Sequence, residues 1–221
     1  MDGDQILSVL RDGLFTAVVG DVMDTLGLTR QFLPPEIRPL HADLAIAGRA
    51  MPVHEGDIAP GEEDDAGAFG LMFKALDDLK AGEVYICAGA SPTYALWGGL
   101  MSTRAQKLGA AGAVMDGYHR DTREITALSF PVFSRGGYAQ DQRLRGRVID
   151  FRQPITFANG CGVVPGDVVF GGIDGVVIIP KDAADEVVRL AVEKATGENT
   201  VRRMIEAGRS AEDAFAETGI M

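Results

Sequence analysis

Trp97-Gly-Gly-Leu-Met-Ser-Thr-Arg-Ala-Gln-Lys-Leu-Gly-Ala-Ala-Gly-Ala-Val-Met-Asp-Gly-Tyr-His-Arg-Asp121 is the stretch on which the reading of this chain turns. It reads as a helix from Trp97 to Leu108, a glycine stop at Gly109 and a strand from Gly112 to Met115. With the apolar strand Glu83 to Cys87 ahead of it, the pattern predicts a right-handed parallel crossover. Gly98-Gly99 at the helix start leaves backbone N–H groups and the positive end of the helix dipole facing outward, a site sized for a carboxylate. After the second strand the chain turns at Asp116-Gly117 and presents His119, Arg120 and Asp121 beyond the strand's carboxyl end, where open α/β sheets bind ligands.

Both flanks carry regular elements. Asp4 to Arg11 reads as a short amphipathic helix, Asp21 to Leu26 as a second helix capped by Asp21, and Leu44 to Val53 as an extended segment. Asp57 to Asp65 is loop-like, and its acidic run Glu62-Glu63-Asp64-Asp65 reads as a solvated turn or helix start rather than a metal site. A helix follows from about Ala68 to Leu79. On the C-terminal side come short strands at Phe130 to Phe133, Arg147 to Phe151, Ile155 to Phe157, Asp167 to Phe170 and Val176 to Ile179, with turn pairs at Asn159-Gly160 and Pro165-Gly166. A helix from near Lys181 to Ala207, broken at Gly197, and another from Ala211 to Glu217 complete the pattern. The expectation is one layered α/β domain over residues 1–221 with a helical C-terminal arm from about 181 to 221.

The 221 residues carry a formal net charge of -11, which argues against holding nucleic acid by phosphate neutralisation. The densest basic run, Asp141-Gln142-Arg143-Leu144-Arg145-Gly146-Arg147, reads as solvated surface without a role. Cys87 and Cys161 sit in apolar, strand-like contexts and read as buried thiols rather than a disulfide. The start Met-Asp-Gly-Asp lacks a basic and apolar leader, and no apolar run reaches the length of a membrane span. The chain is therefore expected to be cytoplasmic and to act on a small molecule, without nucleic acid or membrane as a partner.

In its glycine-led helix at Gly98, its strand entry Gly109-Ala110-Ala111-Gly112-Ala113-Val114 and its terminal Arg120-Asp121, the sequence resembles the RraA-like family. That family comprises regulators of ribonuclease activity and metal-dependent 4-hydroxy-4-methyl-2-oxoglutarate aldolases. Phe130-Pro131-Val132-Phe133, Pro165-Gly166-Asp167-Val168-Val169 and Asp174-Gly175-Val176-Val177 recur in the family's order, so the likeness covers most of the chain. The resemblance implies a swivelling β/β/α-type fold. It also implies that Gly98, Gly99, Leu100 and Met101 hold a pyruvyl carboxylate through backbone amides, that Arg120 is the catalytic contact to the keto oxygen, and that Asp121 helps to hold a divalent metal, magnesium or manganese.

Glu198 shares a helical stripe with Val187, Ala191, Val201 and Ile205, where a carboxylate needs a partner. An interfacial salt bridge is one reading. The resemblance matches Glu198 to Arg202 with a helix that reaches into a neighbouring subunit's metal site, which implies a homo-oligomer, a trimer or hexamer.

The implied activity is cleavage of a small oxo acid, an aldolase or oxaloacetate decarboxylase reaction, through a pyruvate enolate whose charge a hard cation and a guanidinium stabilise. Two positions depart from the family pattern: Gly99 stands where active aldolases carry an acidic residue, and Gly172 where one is often found. Losing a carboxylate weakens a hard-cation site. A Schiff-base route would fall to Lys107 or Lys181, which lie on amphipathic or capping segments, and no glycine-rich nucleotide turn leaves a strand as a methyltransferase would need. His119 is read as a neighbour of the site and His54 as a loop residue. The alternative from another class is a non-catalytic regulator that binds a ribonuclease or other protein, a role that acidic charge suits.

Overall fold

The computed structural model describes residues 1–59 and 69–220, so the acidic run Glu62 to Asp65 and the first residue of the helix expected at Ala68 lie outside the described residues. Two helices, α1 (Gly3–Gly13) and α2 (Thr16–Thr25), precede β1 (Arg38–Pro39) and the long β2 (Ile46–Asp57). Next come α3 (Met72–Asp77), β3 (Glu83–Ala88), β4 (Ala95–Trp97), α4 (Gly99–Lys107), β5 (Gly112–Met115), β6 (Tyr118–His119), α5 (Thr122–Leu128) and β7 (Val132–Ser134). β8 (Gly146–Phe151), the hairpin β9 (Ile155–Thr156) and β10 (Gly162–Val163), β11 (Val168–Gly172) and β12 (Gly175–Ile179) lead to the C-terminal helices α6 (Ala184–Glu206) and α7 (Ala211–Thr218).

The main sheet is mixed, in the order β1-β7-β5-β3-β2-β11-β12, with β8 also pairing β2. Side-chain alternation along its strands builds the layers. Met51, Val53, Tyr85, Cys87, Ala113 and Met115 face one way, onto Ala75, Leu76, Ala105 and Ile125 of α3, α4 and α5. Ala50, Val84, Ile86, Val114 and Phe133 face the other way, onto Ile155, Phe157, Cys161 and Val163 around the β9–β10 hairpin. Buried on both faces, the parallel β3 and β5 are almost wholly apolar, as parallel strands must be. A third cluster joins Phe170, Val177 and Ile179 to α1, α2 and α6. No helix among the described residues is long and apolar enough to cross a membrane.

β2 is the hub. One edge pairs in parallel with β3, while the other takes β11 along Ile46 to Arg49 and β8 along Val53 to Asp57, with a bulge between His54 and Glu55. Close packing shows at Gly48, where a β-carbon would lie 2.6 Å from the Gly82 carbonyl oxygen and 2.8 Å from both Ala111 Cβ and Val84 Cγ2. Backbone cannot step aside as a side chain can. Gly48→Ala is therefore expected to destabilise the fold by about 1–3 kcal/mol, read as a lower urea midpoint at unchanged m-value.

Several local expectations are corrected. Helix α2 starts at Thr16 rather than at Asp21, because Val18, Val19, Val22 and Met23 form one buried stripe that extends the helix backward. Asp21 lies inside it and pairs with Lys194 at 3.2 Å instead of capping. Helix α6 is continuous through Gly197, whose missing β-carbon makes room for Cδ1 of Ile220 beyond α7. His54 lies on β2 and not in a loop. Cys87 and Cys161 are free and buried.

Candidate functional site

The Gly98 turn is held from beneath by apolar and polar packing. Trp97 lies 2% exposed, tilted against Tyr85 with centroids 4.9 Å apart and stacked on Phe130 at 6.2 Å. Its indole Nε1 donates to Ser102 Oγ at 2.7 Å, and that hydroxyl donates to the Gly98 carbonyl at 3.1 Å. Gly98 is extended at φ -151° and α4 begins at Gly99, so the turn and the first helical amides are fixed relative to the core.

β4 and β6 form a small parallel pair, Ala95 with Tyr118 and Trp97 with His119, and the Arg120 amide donates to the Trp97 carbonyl at 2.9 Å. This register sets Arg120 beside the glycine turn. Asp121 follows in the left-handed region, φ 59° and ψ 37°, which swings its carboxylate back over α4. Asp121 Oδ2 accepts the Gly99 amide at 3.1 Å and stands 3.7 Å from Arg120 Nε. The guanidinium's Nη1 lies 3.4 Å from Asp141 Oδ1. The amides of Leu100 and Met101 belong to the first turn of α4, where a helix offers no internal acceptors.

The structure thus brings Gly98, Gly99, Leu100, Met101, Arg120 and Asp121 together. It also shows a neighbour that reading along the sequence passed over. A β-carbon on Gly98 would lie 2.7 Å from Asp121 Oδ2, and one on Gly99 would overlap Glu124 Oε2, standing 3.1 Å from Glu124 Cβ. Glu124, in the first turn of α5, occupies the space that an acidic side chain at residue 99 would fill. The available signal was its spacing, three residues after Asp121 and hence one helical turn on.

Glu198 is placed elsewhere on α6, where it pairs with Lys194 at 3.2 Å and borders a groove with Val201, Arg202, Ile205 and Ile220. His119 is buried between Ser134, 2.7 Å from Nδ1, and Thr122, 3.0 Å from Nε2. Burial first, and the neighbouring charge of His41 second, hold its pKa below the ordinary histidine value, so it anchors the start of α5 as a neutral ring. Gly172 stands in open space on β11.

Two carboxylates beside the turn, Asp121 and Glu124, are the side chains that could hold a hard divalent cation. Asp121 Oδ2 and Glu124 Oε2 converge over one turn. Among the described residues no group of three His, Cys, Asp or Glu side chains gathers within the chain. Magnesium is commonly held by one or two carboxylates and completed by water.

An outward-facing helix start, a guanidinium and two carboxylates thus stand around one glycine turn. The chain belongs to the RraA-like family: residues 16–178 match the family model for aldolase/RraA proteins. It is 31% identical over 91% of its length to a Halalkalibacterium halodurans protein named "Putative 4-hydroxy-4-methyl-2-oxoglutarate aldolase", 90% of which is covered. A solved structure of an uncharacterized Pseudomonas syringae protein superposes with a TM-score of 0.85 at 25% identity, covering 98% of this chain and 95% of that one. Streptomyces coelicolor RraAS2, described as an unusual member of the RNase ES inhibitor RraA family, shares the fold at a TM-score of 0.79 and 22% identity, over 91% of this chain and 97% of its own.

Proposed function

We propose that the chain is a divalent-metal-dependent lyase that cleaves a pyruvyl-containing oxo acid, of the 4-hydroxy-4-methyl-2-oxoglutarate aldolase or oxaloacetate decarboxylase type. The convergence of Arg120, Asp121 and Glu124 on the amide-bearing turn at Gly98-Gly99 carries this reading. The named aldolase relative supports it.

The Leu100 and Met101 amides in the first turn of α4 receive the substrate's terminal carboxylate, the Gly99 amide being held by Asp121, and Arg120 donates to the adjacent keto oxygen. In the aldol substrate the hydroxyl proton passes to water, the bond between C3 and C4 breaks, and its electron pair passes to C3. Pyruvate and the pyruvate enolate result. In oxaloacetate the same enolate is left when carbon dioxide departs, so one charge-stabilising site serves both reactions. Asp121 and Glu124 would hold the cation, which when bound would supply Lewis-acid stabilisation of the developing oxyanion. Protonation of the enolate at C3 then gives pyruvate.

The chain acts as one domain whose C-terminal arm presents Glu198 to a neighbouring copy in a trimer or hexamer, giving the site a third carboxylate. Two free thiols fit a cytoplasmic setting.

Pyruvate release from oxaloacetate and from 4-hydroxy-4-methyl-2-oxoglutarate, with and without magnesium, tests the reading. Metal-stimulated release from either substrate supports it; no such release from both, with wild type equal to Arg120→Ala, sinks it. Glu124→Gln is expected to weaken magnesium binding roughly tenfold by calorimetry, and unchanged affinity would remove Glu124 from the cation site. A non-catalytic regulator that binds a ribonuclease is the second reading, favoured by the net charge of -11. Its mark is capture of a ribonuclease by the Arg120→Ala variant as well as by wild type.

A further inference from the structure

The segment 137–142 reaches the site from behind. Gly137 bridges to His119 and Asp141 to Ala95, so this one segment pairs with both strands of the small β4–β6 sheet. The Ala95 amide donates to the Gln140 carbonyl at 2.8 Å, and Asp141 then stands 3.4 Å from Arg120 Nη1. The next residue turns inward. Gln142 is 2% exposed, and its Nε2 donates to Glu55 Oε2 at 2.8 Å.

Glu55 sits at the bulge of β2, fully buried, and its second oxygen, Oε1, has no hydrogen-bond partner among the described residues. The Tyr85 hydroxyl, also buried, has none either. Around Glu55 stand Tyr85 and Cys87 on β3, Tyr94 ahead of β4 and Asp57 farther along β2, with Arg147 of β8 opposite the next residue, Gly56. The first four are neutral or negative. A carboxyl buried with one oxygen unsatisfied lacks the compensation expected of a purely structural group.

We infer that Glu55 is a positioning residue for Arg120: through Gln142 it pegs segment 137–142 onto β2, and so sets the distance between Asp141 and the Arg120 guanidinium. Burial, only partly offset by the Gln142 hydrogen bond, raises the Glu55 pKa to about 8, so the peg is neutral near pH 7 and ionises just above. An ionised carboxylate there draws water between β2 and the segment, because solvation is the least costly relief of a buried charge. Because Gln142 donates more strongly to the ionised form, the peg and its segment rearrange together, and the distance between Asp141 and Arg120 changes. The importance of this coupling to catalysis rests on the lyase reading, while the coupling itself does not.

The test is the guanidinium Cζ and Nε chemical shifts of Arg120 in the full chain, assigned by their loss in Arg120→Lys and followed through the pH range around 8. The expected result is one titration in wild type, its absence in Glu55→Gln, and a displaced signal that no longer follows pH in Asp141→Asn. A titration unchanged in Glu55→Gln, or none in wild type, overturns the inference. If the Glu55-dependent titration is present but neither oxo acid releases pyruvate, the coupling stands and the lyase reading falls.

Discussion

On the proposed lyase reading, Arg120→Ala is expected to lower kcat for pyruvate release from oxaloacetate by about a hundred- to a thousandfold, with magnesium affinity retained. That range corresponds to roughly 2.7–4 kcal/mol of lost stabilisation for a group aimed at charge that appears only in the transition state. Arg120 fits this role because its backbone is tied to Trp97 and its side chain is flanked by Asp121 and Asp141, so little reorganisation is needed as the enolate forms. Arg120→Lys keeps the charge but not the planar fork, and should recover only part of the loss. Steady-state kinetics at saturating magnesium decide the matter. A variant that raised KM alone would mean that Arg120 binds substrate and transition state equally.

The second large effect is on stability. Glu55 ionises near pH 4.5 when exposed but near 8 in the fold, so the unfolded chain sheds its proton first as pH rises. The stability tied to the neutral group is fully present below about pH 4.5 and is lost progressively up to about pH 8, above which the loss levels off. Between pH 5 and 8 the loss is on the order of 3–4 kcal/mol, at about 1.36 kcal/mol per pH unit where the slope is full. Urea denaturation of wild type and Glu55→Gln across this range isolates the contribution, since other groups titrate alike in both. The difference between the two proteins should grow toward high pH. A constant difference would show that Glu55 does not carry the penalty.

Much of the candidate site was legible because it is local. Gly98, Arg120 and Asp121 lie at the ends of one strand–helix–strand passage, where helix and strand periodicity, a glycine stop and a turn fix which residues emerge together. What escaped depends on approach through space. Glu124 meets Gly99 only because Asp121 adopts a left-handed conformation that aims α5 at α4. Gln142 was hidden among arginines, whose charge made the run read as surface although one side chain points into the core. Gly197 read as a helix break since glycine costs about 1 kcal/mol against alanine in a helix. The contact with Ile220, far along the chain, reverses that expectation. The layers were readable from alternating apolar strands, but the branch at β2 was not, because pairing partners are not written in a strand's own periodicity.

That branch has a consequence for how the protein is made. Strand β2 waits for β3, then for β8 beginning at residue 146, and finally for β11 beginning at residue 168. A chain emerging from the ribosome therefore carries a half-paired edge through most of its synthesis, the condition in which strands capture the wrong neighbour. The early helices cannot hide it, because their own apolar faces pack on Phe170, Val177 and Ile179, which emerge later still. Folding dominated by such distant pairings is slow, on the order of milliseconds to seconds. Nascent chains halted before residue 168 should bind chaperones and yield to protease, and protection should arrive abruptly once β11 and β12 are free to close the sheet.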